Sequence, residues 1–226
     1  MAVLIHGITS NAGSWARVAP ELNGLGYRCI APELRGHGES PKPDEGYAAA
    51  DLVRDLVETL PPEPDLLIGH SLGGFLALNA AARGVLSPAR LVLEDPLLVG
   101  TPSSTRAVWE SFQESRSWGE ADLQAANPLW SAIDVREKWL ALQQAHPDGV
   151  RQILAGPLDA GRLFARLTMP TLVLRAGSSE LVSEELVADL ERALGAGSVV
   201  TLSGAGHSVH RDDLPGFMRA IRPFVR

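Results

Sequence analysis

Ser71 has the surroundings expected of a catalytic nucleophile. It lies in the pentad GHSLG at residues 69–73, which follows the apolar run 66–68 and precedes a run rich in Ala and Leu without a helix breaker. A strand, a G-x-S-x-G turn and a helix in this order form a nucleophile elbow, which exposes the serine hydroxyl at the strand tip. Gly69 and Gly73 would let the strand and helix backbones approach closely. The pentad alone is a weak signal, because Gly and Ser are common in turns, so a purely structural turn is the alternative.

A serine hydroxyl is a poor nucleophile at neutral pH, so Ser71 requires a general base within hydrogen-bond reach. Among the six histidines, His207 follows the last predicted strand in the glycine-spaced loop SGAGH. Ligands and catalytic groups gather at this edge of an open α/β sheet. We therefore predict His207 as the base, with His210 as its close rival. His70 is expected to pack away from the serine, and His6 to hold neighbouring loops together.

A triad also needs a carboxylate that accepts a hydrogen bond from the other imidazole nitrogen and sets its tautomer. Glu180 follows the strand predicted over 171–175 and has the expected place in the order serine, acid, histidine. Asp95 and Glu94, at the end of the strand predicted over 90–94, are the alternatives. We favour Glu180, and expect Glu180→Gln to cost more activity than Asp95→Asn.

Hydrolysis at a carbonyl requires two backbone N–H donors for the developing oxyanion. Leu72, directly after Ser71, would supply one donor. Ile8, in the His-Gly-Ile turn after the first strand, would supply the other. The sequence has no phosphate loop, GxGxxG, HExxH or EF-hand pattern, so we expect no cofactor and no metal.

Strands and helices alternate along most of the chain, which predicts a mostly parallel sheet flanked by helices. Strands are expected over 2–5, 27–31, 66–68, 90–94, 171–175 and 198–202, and helices over 15–25, 51–60, 183–194 and 214–226. Residues 97–168 interrupt this rhythm with a longer helical stretch. We interpret that stretch as a helical cap, inserted into a core made of residues 1–96 and 169–226.

The predicted cap holds four of the five tryptophans. Trp109, Trp130 and Trp139 are candidates for the substrate pocket, because ligand pockets are lined mainly by apolar and aromatic side chains. For each of them, packing of the cap onto the core is the alternative.

The composition limits the partners of this chain. A net charge of -7 and a pI near 5.4 argue against nucleic acid or an anionic membrane. The single Cys29 excludes an internal disulfide and a cysteine-based metal site. No apolar run approaches the ~18 residues of a membrane span. The opening MAVLIHG has no basic region or cleavage site typical of a signal peptide, so we expect a cytoplasmic protein.

These features, in this order, resemble the α/β-hydrolase superfamily. The resemblance covers nearly the whole chain outside 97–168 and is carried by HG at 6–7, RGHGES at 35–40, GHSLGG at 69–74 and GH at 206–207. The chain begins at what resembles the third strand of that fold, so about six strands are expected. The resemblance implies acyl transfer to water: Ser71 attacks a carbonyl, and water activated by His207 hydrolyses the acyl-enzyme. Glutamate at the acid position departs from the commoner aspartate.

The resemblance says little about the substrate. We predict a serine esterase acting on a small carboxylic ester, with lactones included. The same residues could serve C–C bond hydrolysis or perhydrolysis. A ligand receptor or scaffold that keeps the fold without turnover is the alternative from another functional class.

Overall fold

The computed structural model describes residues 1–160 and 163–225. Its strands are β1 (Ala2–Ile5), β2 (Cys29–Ile30), β3 (Leu66–His70), β4 (Leu91–Glu94), β5 (Thr171–Ala176) and β6 (Val199–Leu202). Within the described ranges these six strands form one parallel sheet, in the order β2-β1-β3-β4-β5-β6. The prediction of an α/β fold with about six mostly parallel strands is confirmed.

One α-helix connects each pair of successive strands, except between β4 and β5, where the described residues form four. The helices are α1 (Val18–Gly24), α2 (Ala49–Thr59), α3 (Leu72–Ala82), α4 (Pro102–Ser115), α5 (Glu120–Ala126), α6 (Ala132–Gln144), α7 (Pro147–Ala155), α8 (Glu184–Leu194), α9 (Val209–Asp212) and α10 (Leu214–Val225). Residues 161–162, inside the predicted cap, and Arg226, at the end of the last predicted helix, lie outside the described residues. Among the helices of the described chain, none is long and apolar enough to span a membrane.

The four central strands β1, β3, β4 and β5 are buried on both faces, which explains why the sequence of β1 is apolar throughout. Val3 and Ile5 face an apolar cluster that includes residues of α2, α3 and α8. Ala2 and Leu4 face a second cluster, which includes residues of α1 and α10. Side chains alternate across a strand, so a parallel strand covered on both faces needs an unbroken apolar run.

Residues 98–160, which lie between β4 and β5 and which we call the helical insertion, have an apolar cluster of their own. Its buried members are Phe112, Leu123, Trp130, Val135, Leu142, Ala145, Val150 and Leu154. The two ends of the insertion meet, since the Gly100 N–H donates to the Leu158 carbonyl at 2.6 Å and the Ala160 N–H donates to the Leu98 carbonyl at 2.7 Å. The insertion therefore begins and ends at the same place.

The amino-terminal elements are shorter than the sequence pattern predicts. The strand expected over 27–31 contracts to β2, an edge strand that pairs with β1 through two residues only. The helix expected over 15–25 begins instead with a 3₁₀ turn over Ala12–Trp15 and continues as α1.

Candidate active site

Ser71 lies at the sharp turn between β3 and α3. Its backbone angles, φ 54° and ψ −117°, are strained for a residue with a side chain. A Cβ added to Gly69 would lie 2.4 Å from the Gly73 carbonyl oxygen, and one added to Gly73 would lie 2.3 Å from the carbonyl oxygen of Ile5. Only glycine fits at these two positions. The two glycines of the pentad therefore allow the backbones of β3 and α3 to approach each other as closely as the elbow requires.

His207 lies in the loop after β6, with its side chain half exposed. Its Nδ1 is 2.7 Å from Oδ2 of Asp95, a buried residue directly after β4. The other oxygen of Asp95, Oδ1, accepts a hydrogen bond from the Ala176 N–H at 3.1 Å. Since Nδ1 is engaged, Nε2 is the ring nitrogen left for a second partner. His207 and Ser71 line the same cavity, which has a volume of about 160 Å³.

The structure corrects the expected partner of His207. Glu180 is exposed in the loop after β5, whereas Asp95 makes the hydrogen bond to the imidazole. Because β4 and β5 are neighbours and end at the same edge of the sheet, chain order alone admits either carboxylate. Asp95 is buried and anchored by a backbone donor of the adjacent strand, which holds its carboxylate in one orientation.

His210, the rival base, and Glu94, a further candidate acid, bind each other. Nδ1 of His210 lies 2.8 Å from both carboxylate oxygens of Glu94, and its ring stacks on Trp15 with centroids 4.6 Å apart. Burial, followed by the charge of Arg211, lowers the pKa of His210 to about 3, so the ring stays neutral near pH 7. Neither His210 nor Glu94 is among the described residues that line the Ser71 cavity.

Two further histidines support this site. Nε2 of His70 donates to the carbonyl oxygen of His207 at 3.0 Å, and burial lowers the pKa of His70 well below its usual value. The sequence indicated packing only for this residue. His6 joins two loops, because Nδ1 donates to the Gly7 carbonyl at 2.8 Å and Nε2 accepts from the Leu34 N–H at 3.1 Å.

The two predicted oxyanion donors lie beside Ser71. Leu72 is the first residue of α3, so its N–H has no acceptor within the helix. Ile8 lines the Ser71 cavity from the turn after β1. A Cβ on Gly7 would lie 3.1 Å from the Ser71 Cβ, so glycine allows this turn to approach the elbow. The role of these N–H groups stays a prediction.

The structure brings Trp130, one of the three candidate tryptophans, to the cavity. Its Nε1 donates to Asp212 Oδ1 at 2.7 Å. Trp109 packs against Phe112 with ring centroids 5.8 Å apart, and Trp139 packs against the apolar cluster of the insertion. Trp109 and Trp139 therefore pack within the helical insertion and are not among the described residues that line the Ser71 cavity.

Lys138 of α6 and Arg211 of α9 also line the cavity, and the sequence analysis missed both. Nζ of Lys138 donates to the carbonyl and the hydroxyl of Thr9, each at 2.9 Å. Burial, with a smaller contribution from Arg211, lowers the pKa of Lys138 to about 7, and burial lowers the pKa of Arg211 to about 10. No motif marks this pair, because its members come from distant parts of the chain.

A model of the alpha/beta hydrolase family matches residues 2–219. The chain belongs to this family. The structure of E-2-(acetamidomethylene)succinate hydrolase shares the fold with a TM-score of 0.81 at 28% sequence identity, covering 100% of this chain and 91% of that one. The family and fold expected from the sequence are confirmed.

Curated relatives of this alpha/beta hydrolase differ in the reactions their names give. N-formylmaleamate deformylase of Pseudomonas putida is 28% identical over 241 residues, covering 99% of this chain and 87% of that protein. 2-(Acetamidomethylene)succinate hydrolase of Mesorhizobium japonicum is 28% identical over 245 residues, covering 100% and 87%. An esterase of Mycobacterium tuberculosis is 28% identical over 247 residues, covering 97% and 80%. The relatives thus support a hydrolase without selecting its substrate.

Proposed function

We propose that this alpha/beta hydrolase cleaves a small carboxylic ester through an acyl-enzyme on Ser71. The observation that carries the proposal is the 2.7 Å contact between His207 Nδ1 and Asp95 Oδ2, in a histidine that shares a cavity with a serine on a strained turn. A carboxylate on Nδ1 keeps the ring proton there, which leaves Nε2 unprotonated and able to accept the serine proton.

The reaction proceeds in two half-reactions. Ser71 Oγ bonds to the substrate carbonyl carbon while His207 Nε2 takes the hydroxyl proton, and the oxyanion accepts hydrogen bonds from the N–H groups of Leu72 and Ile8. The bond to the leaving group breaks as His207 returns the proton to it. Water then attacks the acyl carbon and gives a proton to His207. As the bond to Ser71 Oγ breaks, His207 passes that proton to Oγ and the acid leaves.

An amide is the second candidate substrate, since the names of two relatives describe a deformylase and a hydrolase of an acetamido compound. The same groups serve both substrates, but an amide depends more on protonation of its leaving nitrogen by His207. Matched pairs such as 4-nitrophenyl acetate and 4-nitroacetanilide would separate the two candidates.

Labelling with a fluorophosphonate and turnover of 4-nitrophenyl esters test the proposal directly. We expect Ser71→Ala to abolish labelling and to lower kcat by about 10⁴-fold or more, because the nucleophile is removed. Ser117→Ala is the matched control, since Ser117 is exposed in the helical insertion. Full activity in Ser71→Ala would refute the acyl-enzyme. Ligand binding by a wild type that neither labels nor turns over would favour the receptor alternative.

A further inference from the structure

Two cationic side chains meet in the cavity that contains Ser71. Lys138 comes from α6 in the helical insertion, and Arg211 comes from α9, directly after the His207 loop. Arg211 is 3% exposed, and Lys138 is partly buried. Bringing two like charges together away from water is unfavourable unless an anion compensates them.

The protein itself provides few hydrogen-bond acceptors for the guanidinium group of Arg211. Its Nη2 donates to Ser10 Oγ at 3.3 Å, and its guanidinium lies 4.7 Å from the ring centre of Trp130. Its Nε is buried without a hydrogen-bond partner among the described residues. A buried donor without a partner is costly, so this guanidinium has unused capacity to bind an acceptor.

Lys138 also has an unused hydrogen-bond donor. Its ammonium group has three donors, and the two hydrogen bonds it makes go to the carbonyl and hydroxyl of Thr9. Thr9 follows Ile8, the predicted oxyanion donor, so the ammonium group lies close to the place where the substrate carbonyl would bind. The lowered pKa of Lys138 agrees with a cation that no carboxylate of the protein stabilises.

No carboxylate within residues 1–160 and 163–225 forms an ion pair with either cation, taking 4.0 Å between nitrogen and oxygen as the limit. Four carboxylates attract Arg211 from further away: Glu94, Asp134, Glu137 and Asp212. Three of them are engaged by other side chains, Glu94 by His210, Asp134 by Arg17 and Asp212 by Trp130. The nitrogen donors of Lys138 and Arg211 are therefore left without a directly bound carboxylate among the described residues.

We infer that Lys138 and Arg211 form a subsite for a carboxylate group carried by the substrate. The inference rests on the proposed function, because it places this carboxylate beside the bond cleaved at Ser71. Guanidinium N–H groups match the two oxygens of a carboxylate, and an ammonium group adds a second charge-assisted bond. Because Ser71 and both cations line this one cavity of about 160 Å³, a short spacer would join the carboxylate to the reacting carbonyl. The substrate class is thus a short ester or amide that also bears a carboxylate, such as a half-ester of a small dicarboxylic acid.

A matched pair of chromogenic esters tests the subsite. In wild type we expect kcat/KM for 4-nitrophenyl hydrogen glutarate to exceed that for 4-nitrophenyl pentanoate by about 10- to 100-fold, the range of a hydrogen bond to a charged group. Lys138→Gln should remove about tenfold or more of this preference, and Lys138→Arg should restore part of it. Arg136→Gln, which removes an exposed charge on the same helix, should leave the preference unchanged.

Binding to a variant without the nucleophile separates failure of the subsite from failure of the proposed function. In Ser71→Ala, calorimetry should show that glutarate binds. Adding Lys138→Gln to this variant should raise the Kd for glutarate by about tenfold. If wild type hydrolyses neither ester, the proposed function fails, and this binding result alone upholds or overturns the subsite. The inference is overturned if the pentanoate ester is hydrolysed equally well, if Lys138→Gln keeps the full preference, or if glutarate does not bind at about 10 mM.

Discussion

Replacing Asp95 by asparagine changes a single atom in the hydrogen bonds that hold His207. Asp95 Oδ1 accepts from the Ala176 N–H at 3.1 Å, while Oδ2 accepts from His207 Nδ1 at 2.7 Å. In Asp95→Asn the amide oxygen must stay opposite the backbone donor, because two N–H groups cannot face each other. The amide NH₂ group is then directed at Nδ1 and can be accommodated only if Nδ1 is unprotonated.

The consequence is a reversed histidine tautomer with little change in structure. With the proton on Nε2, His207 cannot accept the proton of Ser71, so we expect kcat to fall by about 10⁴-fold, which corresponds to about 5 kcal/mol of activation free energy. The backbone should tolerate the change, since Asp95 has φ 36° and asparagine is among the residues that adopt positive φ most readily.

The assay is kcat for 4-nitrophenyl ester hydrolysis, with ¹⁵N chemical shifts of labelled histidine to report the tautomer and thermal melting to report folding. Glu180→Gln is the matched control, and we expect less than about a twofold loss because Glu180 is exposed. If Glu180→Gln costs more activity than Asp95→Asn, or if a folded Asp95→Asn variant keeps most of its activity, Asp95 does not orient the base.

Two further predictions concern stability and pH. Gly73→Ala places a Cβ 2.3 Å from the Ile5 carbonyl oxygen, so we expect the free energy of unfolding to fall by about 1–3 kcal/mol in urea titrations; an unchanged midpoint would contradict the close packing of the elbow. The preference for the carboxylate-bearing ester should decline as pH rises through about 7, because Lys138 then loses its proton while Arg211, with a pKa of about 10, keeps its charge. A decline that persists in Lys138→Arg would rule out Lys138 as its source.

Local sequence signals predicted the central elements well. The apolar run before Ser71 became β3, and the pattern over 183–194 became α8, with the Ser183 side chain accepting from the Leu186 N–H at its start. These features depend on neighbours in the chain, namely alternation across a strand and side-chain capping of a helix. The edge strand β2 was predicted too long, because its extent depends on pairing with β1 and not on its own composition.

The strand, turn and helix around Ser71, the parallel sheet and the loop that holds His207 could be predicted from the sequence alone, because turn residues and apolar periodicity are properties of consecutive residues. Which carboxylate reaches His207 depends on the folded chain. Glu180 and Asp95 both follow strands that end at one edge of the sheet, and only side-chain packing distinguishes a buried, anchored carboxylate from an exposed one. The pairing of Lys138 with Arg211 likewise required the fold, since charges on separate elements meet only when the helical insertion packs over the serine.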